Sequence, residues 1–231
     1  MRRQLTVPAA AFVLVTACGS PQAAATPTPA LATATSAQTI AASASPTPAP
    51  LPPGALRFAI LAARSVATIR VNEVIAAVQV PGEAVVKTTA FSGSLVLLAD
   101  GTFATGSLIA ADLDALKSDN DLRDEWIKFN TLKTSVYPRA EFTPGSVVGL
   151  TLPLAASGDW AATIEGTMKI HGVEKQFSWP VQVTRAAGEI RVRGKTAFKF
   201  GDYGMDVPAN RLILSVVDDV RLEIDMVAKD D

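Results

Sequence analysis

The chain has 231 residues, a formal net charge of −1, 48% hydrophobic residues and a single cysteine, Cys18. A charge this close to zero gives no electrostatic footprint for nucleic acid, and a lone cysteine excludes an internal disulfide. Apart from Arg2 and Arg3, every charged residue lies beyond residue 54, so the chain divides by composition before any motif is read.

Residues 1–17 form the first segment. Arg2 and Arg3 lead into an apolar run from Leu5 to Val15 that closes on small residues, the order of an export signal. The run is too short to span a bilayer as a helix. Val15-Thr16-Ala17-Cys18 resembles a bacterial lipobox. That resemblance implies cleavage before Cys18, acylation of the new terminus, and attachment to a membrane on the extracytoplasmic side. The other reading is an ordinary secretory signal with an incidental cysteine. Residues 18–54 follow, rich in Ala, Thr, Ser and Pro and without a charged or aromatic side chain. Such a segment buries too little to offset its ordering entropy and is expected to be a disordered tether. Its mean span as a flexible coil is about 30–35 Å.

Residues 55–231 are long enough for one domain with a sizeable core. From Ser118 to Lys133 the sequence reads as a short amphipathic helix, near residues 119–130. Ser118 and Asp121 have the spacing of a helix-start box, and Leu122, Trp126 and Phe129 fall on one helical face. The helix either plugs one end of a core or lies as a lid over a ligand chamber. After it the period changes to two. Ile164, Gly166, Met168 and Ile170 alternate with polar residues, as do Phe177, Trp179, Val181 and Val183. Ile190 to Phe200 and Val220 to Met226 repeat the pattern. Strands with one dry and one wet face are the mark of antiparallel sheet, and turn signals at Ala99-Asp100-Gly101, Ser157-Gly158-Asp159 and Gly201-Asp202 divide them. An all-β barrel or sandwich follows.

The only histidine, His171, falls on a polar face at a strand end and precedes Gly172, which reads as a tight turn. With no second histidine and no cysteine in the domain, neither a metal centre nor a nucleophile–base pair is expected, and the chain is not expected to be an enzyme. Asp218 and Asp219 are adjacent, so on a strand they point to opposite faces and form no carboxylate pair. Arg191, Arg193, Lys195 and Lys199 make a basic stripe that reads as a solvated sheet face.

Four motifs in register resemble those of YceI-like domains, also called lipid- or polyisoprenoid-binding domains. They are Arg123-Asp124 through Tyr137-Pro138 to Phe142, the Gly166–Val183 hairpin, the Phe200-Gly201-Asp202-Tyr203-Gly204-Met205 corner, and the strand from Val217 to Leu222. The resemblance covers nearly all of residues 55–231. Trp126 and Ile127 depart from it, standing where the family usually has histidine and leucine, and Thr131-Leu132-Lys133 replaces a usual pair of phenylalanines. The resemblance implies an eight-stranded antiparallel, lipocalin-like barrel whose apolar interior holds an isoprenoid such as a quinone or polyprenyl lipid. Its partner would be that apolar lipid-like molecule, with no other cofactor and no nucleic acid. Trp126, Phe129, Trp160, Met168, Phe177, Trp179, Phe198 and Phe200 are the candidate apolar lining, and Arg123 and His171 the candidate head-group contacts. The remaining alternative is a cell-envelope interaction module whose barrel is filled by its own side chains.

Overall fold

The computed structural model describes residues 50–77 and 79–230. The signal segment, Cys18 and most of the tether lie outside the described residues. Eleven strands form a single antiparallel sheet. They are β1 (Leu56–Ile60), β2 (Val66–Ile75), β3 (Pro81–Thr88), β4 (Phe91–Leu97), β5 (Leu108–Asp112), β6 (Arg139–Val148), β7 (Gly158–Ile170), β8 (Val173–Ala186), β9 (Glu189–Phe198), β10 (Ile213–Val216) and β11 (Val220–Asp230). One short helix, α1 (Asp121–Trp126), continues into a wide π turn over Ile127–Leu132.

Eight strands close a ring in the order β1-β4-β5-β6-β7-β8-β9-β11, because β1 pairs with both of its ends. Phe58 lies opposite Leu95 of β4 on one side and Asp230 of β11 on the other. The expected eight-stranded barrel is therefore present. β2 and β3 carry the wall upward beside the first half of β11, with Ile69 opposite both Leu222 and Val86. β10 adds to the end of β2, pairing Ile213 with Ile75.

The alternation read from the later sequence holds in space. On β7 and β8 the inward residues face one another in register, Ile164 opposite Trp179 and Ala162 opposite Val181. The outward faces carry charge. Arg191 makes two hydrogen bonds of 2.6 Å to Asp225, Arg193 reaches the same carboxylate at 3.2 Å, and Lys195 meets Glu223 at 3.0 Å. The Arg191 hydrogen bonds hold the Asp225 carboxyl below its ordinary value. The basic stripe is thus a solvated, cross-strand-paired face, each exposed pair worth about 0–1 kcal/mol.

The packed core occupies the end of the barrel away from α1. Phe58, Leu95, Leu97, Leu154, Val183, Ile190 and Ala228 are all buried there. Arg185, buried among them, donates to the carbonyls of Leu154 (3.0 Å) and Ala155 (3.2 Å) and pairs with Asp230 at 2.5 Å. Among the described residues, ring and core draw only on residues 56–230, within one compact unit.

Inward-facing Gly166 shows how tightly β6 and β7 approach. A Cβ there would lie 2.4 Å from the Thr143 carbonyl oxygen and 2.8 Å from the Phe142 ring. Gly166→Ala should therefore lower stability by about 1–3 kcal/mol in urea unfolding, the usual cost of overpacking. Gly201→Ala, where an added Cβ meets nothing within 4 Å, should change it by less than about 0.5 kcal/mol.

Candidate functional site

At the α1 end the interior is not filled. A cavity of about 840 Å³ runs from the helix down to a floor of Val181, Val192 and Met226. One cause lies in β2, β3, β5 and β6, which turn Ala67, Ala84, Ala111 and Ala140 toward the space. Opposite them stand larger groups, Met168, Trp179, Phe198, Phe200 and Leu222. The same strands also bring Ile69, Val86, Ile109 and Phe142 to the lining, and the alanines between them leave part of the volume unfilled. The filled-barrel alternative therefore does not describe this chain.

Polar groups at the cavity are few, and several are satisfied by the protein itself. The Thr88 hydroxyl donates to the Asp112 carbonyl at 3.2 Å and accepts from the Ala90 amide at 3.1 Å. Glu73 is the one acidic residue that β2 turns inward, with 7% of its side chain exposed, and it meets Arg123 of α1 at 3.0 Å. Arg123, 16% exposed, also reaches Asp119 at 2.5 Å. This pair ties the helix to the barrel rim. Asn120, Asn210 and Arg211 complete the polar part of the mouth.

The helix differs in detail from its sequence reading. Asn120, not Ser118, is the N-cap, its side chain accepting from the Arg123 amide at 3.1 Å. Ser118 is held from the other direction, since the buried Asp124 carboxylate accepts from its amide with both oxygens at 3.0 Å. The expected face of Leu122, Trp126 and Phe129 does not form, because the π turn widens the spiral after Trp126 and shifts the inward register. Trp126, Ile127, Thr131 and Leu132 line the cavity, whereas Phe129 is 79% exposed and points away from it.

Of the other candidate lining residues, Met168, Trp179, Phe198 and Phe200 border the cavity. Trp160 and Phe177 do not; they pack against the core, Phe177 with its ring 5.6 Å from that of Trp179. Of the two candidate head-group contacts, Arg123 is at the mouth and His171 is not. His171 sits in the β7–β8 turn with φ +51°, its Nδ1 3.2 Å from the Tyr203 carbonyl and its ring edge-on to Tyr137 at 4.6 Å. The turn reading is the one the geometry bears out. Burial of the neighbouring Tyr203 phenol pushes it up to about 12. Asp218 accepts from the Phe200 amide at 2.9 Å, which fixes the corner after β9. Among the described residues no group of three or more His, Cys, Asp and Glu side chains is arranged to hold a metal ion.

The alanine wall, Glu73 and the β10 segment were not anticipated from sequence. An alternating Ala67, Ile69, Val71, Glu73 is visible in β2, but its partner alanines become a wall only once the register is known.

A closed antiparallel barrel with an apolar chamber under a short helix belongs to the lipocalin-like class of ligand-enclosing folds. The chain is a member of the YceI-like domain family, whose family model matches residues 58–228. Two solved structures share the fold. One is a polyisoprenoid binding domain from Saccharophagus degradans implicated in plant cell wall breakdown, at TM-score 0.60 and 15% identity, covering 76% of this chain and 99% of that one. The other is BcnA of Burkholderia cenocepacia, at TM-score 0.55 and 15% identity, covering 74% and 99% respectively. No curated protein matches the chain by sequence.

The Glu73–Arg123 pair gives a direct test of how the helix is held. Arg123→Met leaves a carboxylate on an apolar wall without its partner and should cost about 1–3 kcal/mol in urea unfolding. Glu73→Gln combined with Arg123→Met should recover part of that loss, which a double-mutant cycle measures.

Proposed function

We propose that the chain binds an elongated apolar molecule, an isoprenoid such as a quinone or polyprenyl lipid, with its tail inside the barrel. The observation that carries this reading is the unfilled cavity of about 840 Å³ with a mostly apolar lining. A volume of that size falls in the usual range for small-molecule sites. Each buried CH₂ of a tail contributes roughly 0.8 kcal/mol, so a few five-carbon units outweigh an association cost of several kcal/mol. No hydrogen bond to the tail is required, in keeping with the absence of a sharp chemical motif in the sequence. A head group would sit among Asn120, Asn210, Arg211 and the Glu73–Arg123 pair. The domain of Saccharophagus degradans with the same fold is a polyisoprenoid binder, which supports the choice of ligand class.

We further propose that the protein works outside the cytoplasm, held to a membrane by acylated Cys18 through the residue 18–54 tether. The support is the lipobox-like Val15–Cys18 stretch and the uncharged composition that follows it.

Native mass spectrometry and solvent extraction of the purified chain should recover an apolar molecule. Ala111→Phe should lower its occupancy roughly tenfold with the fold intact, because the new ring enters a void rather than a packed core. Repeated recovery of the unmodified chain with neither a bound nor an exchangeable apolar molecule would reject the reading. In cells fed a palmitate analogue the chain should become labelled, and Cys18→Ala should abolish the label.

A further inference from the structure

Nine large apolar residues are exposed on the described surface, and eight of them belong to the segments that build the cavity mouth. Leu122, Phe129 and Val136 come from α1 and the turns after it, and Val80 from the β2–β3 hairpin. Val207, Leu212, Leu214 and Val217 come from the stretch around β10. Three parts of the sequence, separated by dozens of residues, thus bring their unburied apolar side chains to the same end of the barrel. The opposite end shows no such concentration, and the barrel sides are covered by paired charges. Scattered single apolar residues need no explanation, but a contiguous set around an opening does.

The rim is continuous with the cavity. Leu122 and Leu212 line the cavity mouth and are also 75% and 71% exposed. An apolar path therefore leads from the outer surface to the interior. The charges in these segments show no excess of either sign. Lys128 precedes Phe129, Lys133 closes the π turn, and Arg211 precedes Leu212; none has an ion-pair partner among the described residues. By contrast, Lys117 and Arg123 of the same region are paired. Glu125, Asp206 and Asp218 of the same segments are exposed and equally without an ion-pair partner among the described residues, so the charges balance and the apolar side chains are what suit a lipid surface.

We propose that this rim docks on a phospholipid bilayer through its apolar side chains, so that the ligand passes between bilayer and barrel without crossing water. The benefit follows from the ligand chemistry. Each CH₂ exposed in transit costs roughly 0.8 kcal/mol, and a mouth pressed against lipid avoids that cost. The proposal rests on the reading of the cavity as a site for an apolar ligand, and adds the surface from which that ligand is taken.

The test uses residues 50–231, so that neither the signal segment nor an acyl chain contributes. The domain is sedimented with vesicles of phosphatidylcholine alone and with vesicles of equimolar phosphatidylcholine and phosphatidylglycerol. It should pellet with both, and to a similar extent. Phe129→Asp combined with Leu214→Asp, at two exposed positions outside the cavity lining, should lower the vesicle-bound fraction roughly tenfold or more, the loss expected when one large side chain stays in water. The same variant should take up N-phenyl-1-naphthylamine from vesicle-free buffer as the unmodified domain does, while its uptake from preloaded vesicles slows. If the unmodified domain stays in the supernatant with both vesicles, docking is overturned; normal probe uptake from buffer would then leave the ligand-binding reading standing. Failure of probe uptake from buffer as well would remove that reading too. A concentration-dependent dimer that the double variant dissolves, with vesicle binding unchanged, would make the rim a self-association surface and would also overturn the proposal.

Discussion

Closure of the hydrogen-bonded ring is the constraint on which the rest of the molecule depends. In most small domains the side-chain core both drives folding and holds the layers together, so a large void would be costly. Here the backbone ladder from β1 through β11 and back to β1 bears the shape. The β7–β8 hairpin alone contributes an unbroken register from Gly158 opposite Arg185 to Ile170 opposite Val173. The closed ring keeps its pairing whether or not its inner face is packed, and β3 and β10, outside the ring, are the edges that remain. Packing is then needed at only one end, and that is where Phe58, Leu97, Val183 and the Arg185 clamp are found.

The two ends of the barrel divide the work through residue size. Toward the closed end, inward positions hold Phe58, Leu95 and Ile190, which belong to one buried cluster. Between that end and the mouth, β2, β3, β5 and β6 present alanine at four lining positions among larger ones such as Ile69, Val86 and Ile109. Gly166 works in the reverse sense. By having no side chain it leaves room for the Phe142 ring to lie against β7. The chamber depends in part on which small residues fall at which register.

That dependence on register explains what the sequence disclosed. From β7 onward, strands alternate so regularly that each inward residue was legible: Met168, Trp179, Phe198 and Met226 all face the interior as their parity requires. The earlier strands are harder to read. β2 has Val66 and Val74 on its outer face as well as Ile69 and Val71 on its inner one, and it turns a glutamate inward, so parity is blurred. β4, with Ser92, Gly93 and Ser94 in succession, offers little hydrophobic signal at all. Within the helix the error had one local cause. A count of 3.6 residues per turn places Phe129 beneath Trp126, but the π turn inserts extra angle after Trp126 and delivers Thr131 and Leu132 to the interior instead. Nothing in Ile127–Leu132 marks that wider turn, which is set by the fit of the segment against the barrel rim.

The Glu73–Arg123 pair bears on why that fit is unique. Placing an ion pair beside an apolar chamber is a weak way to gain stability, since desolvation offsets most of the attraction. Two leucines would pack there at no such cost, but they would tolerate many helix rotations. A guanidinium that must meet Glu73 on one side and Asp119 on the other fixes the rotation of α1 about its axis. The Asn120 cap and the Asp124 carboxylate on the Ser118 amide fix where the helix starts. With start and rotation both set, the π turn has one outcome: Trp126 and Leu132 go to the chamber, and Leu122 and Phe129 stay at the surface. One short segment thereby supplies both the inner lining of the mouth and part of its apolar rim, and the polar contacts that seat it decide which side chain serves which face.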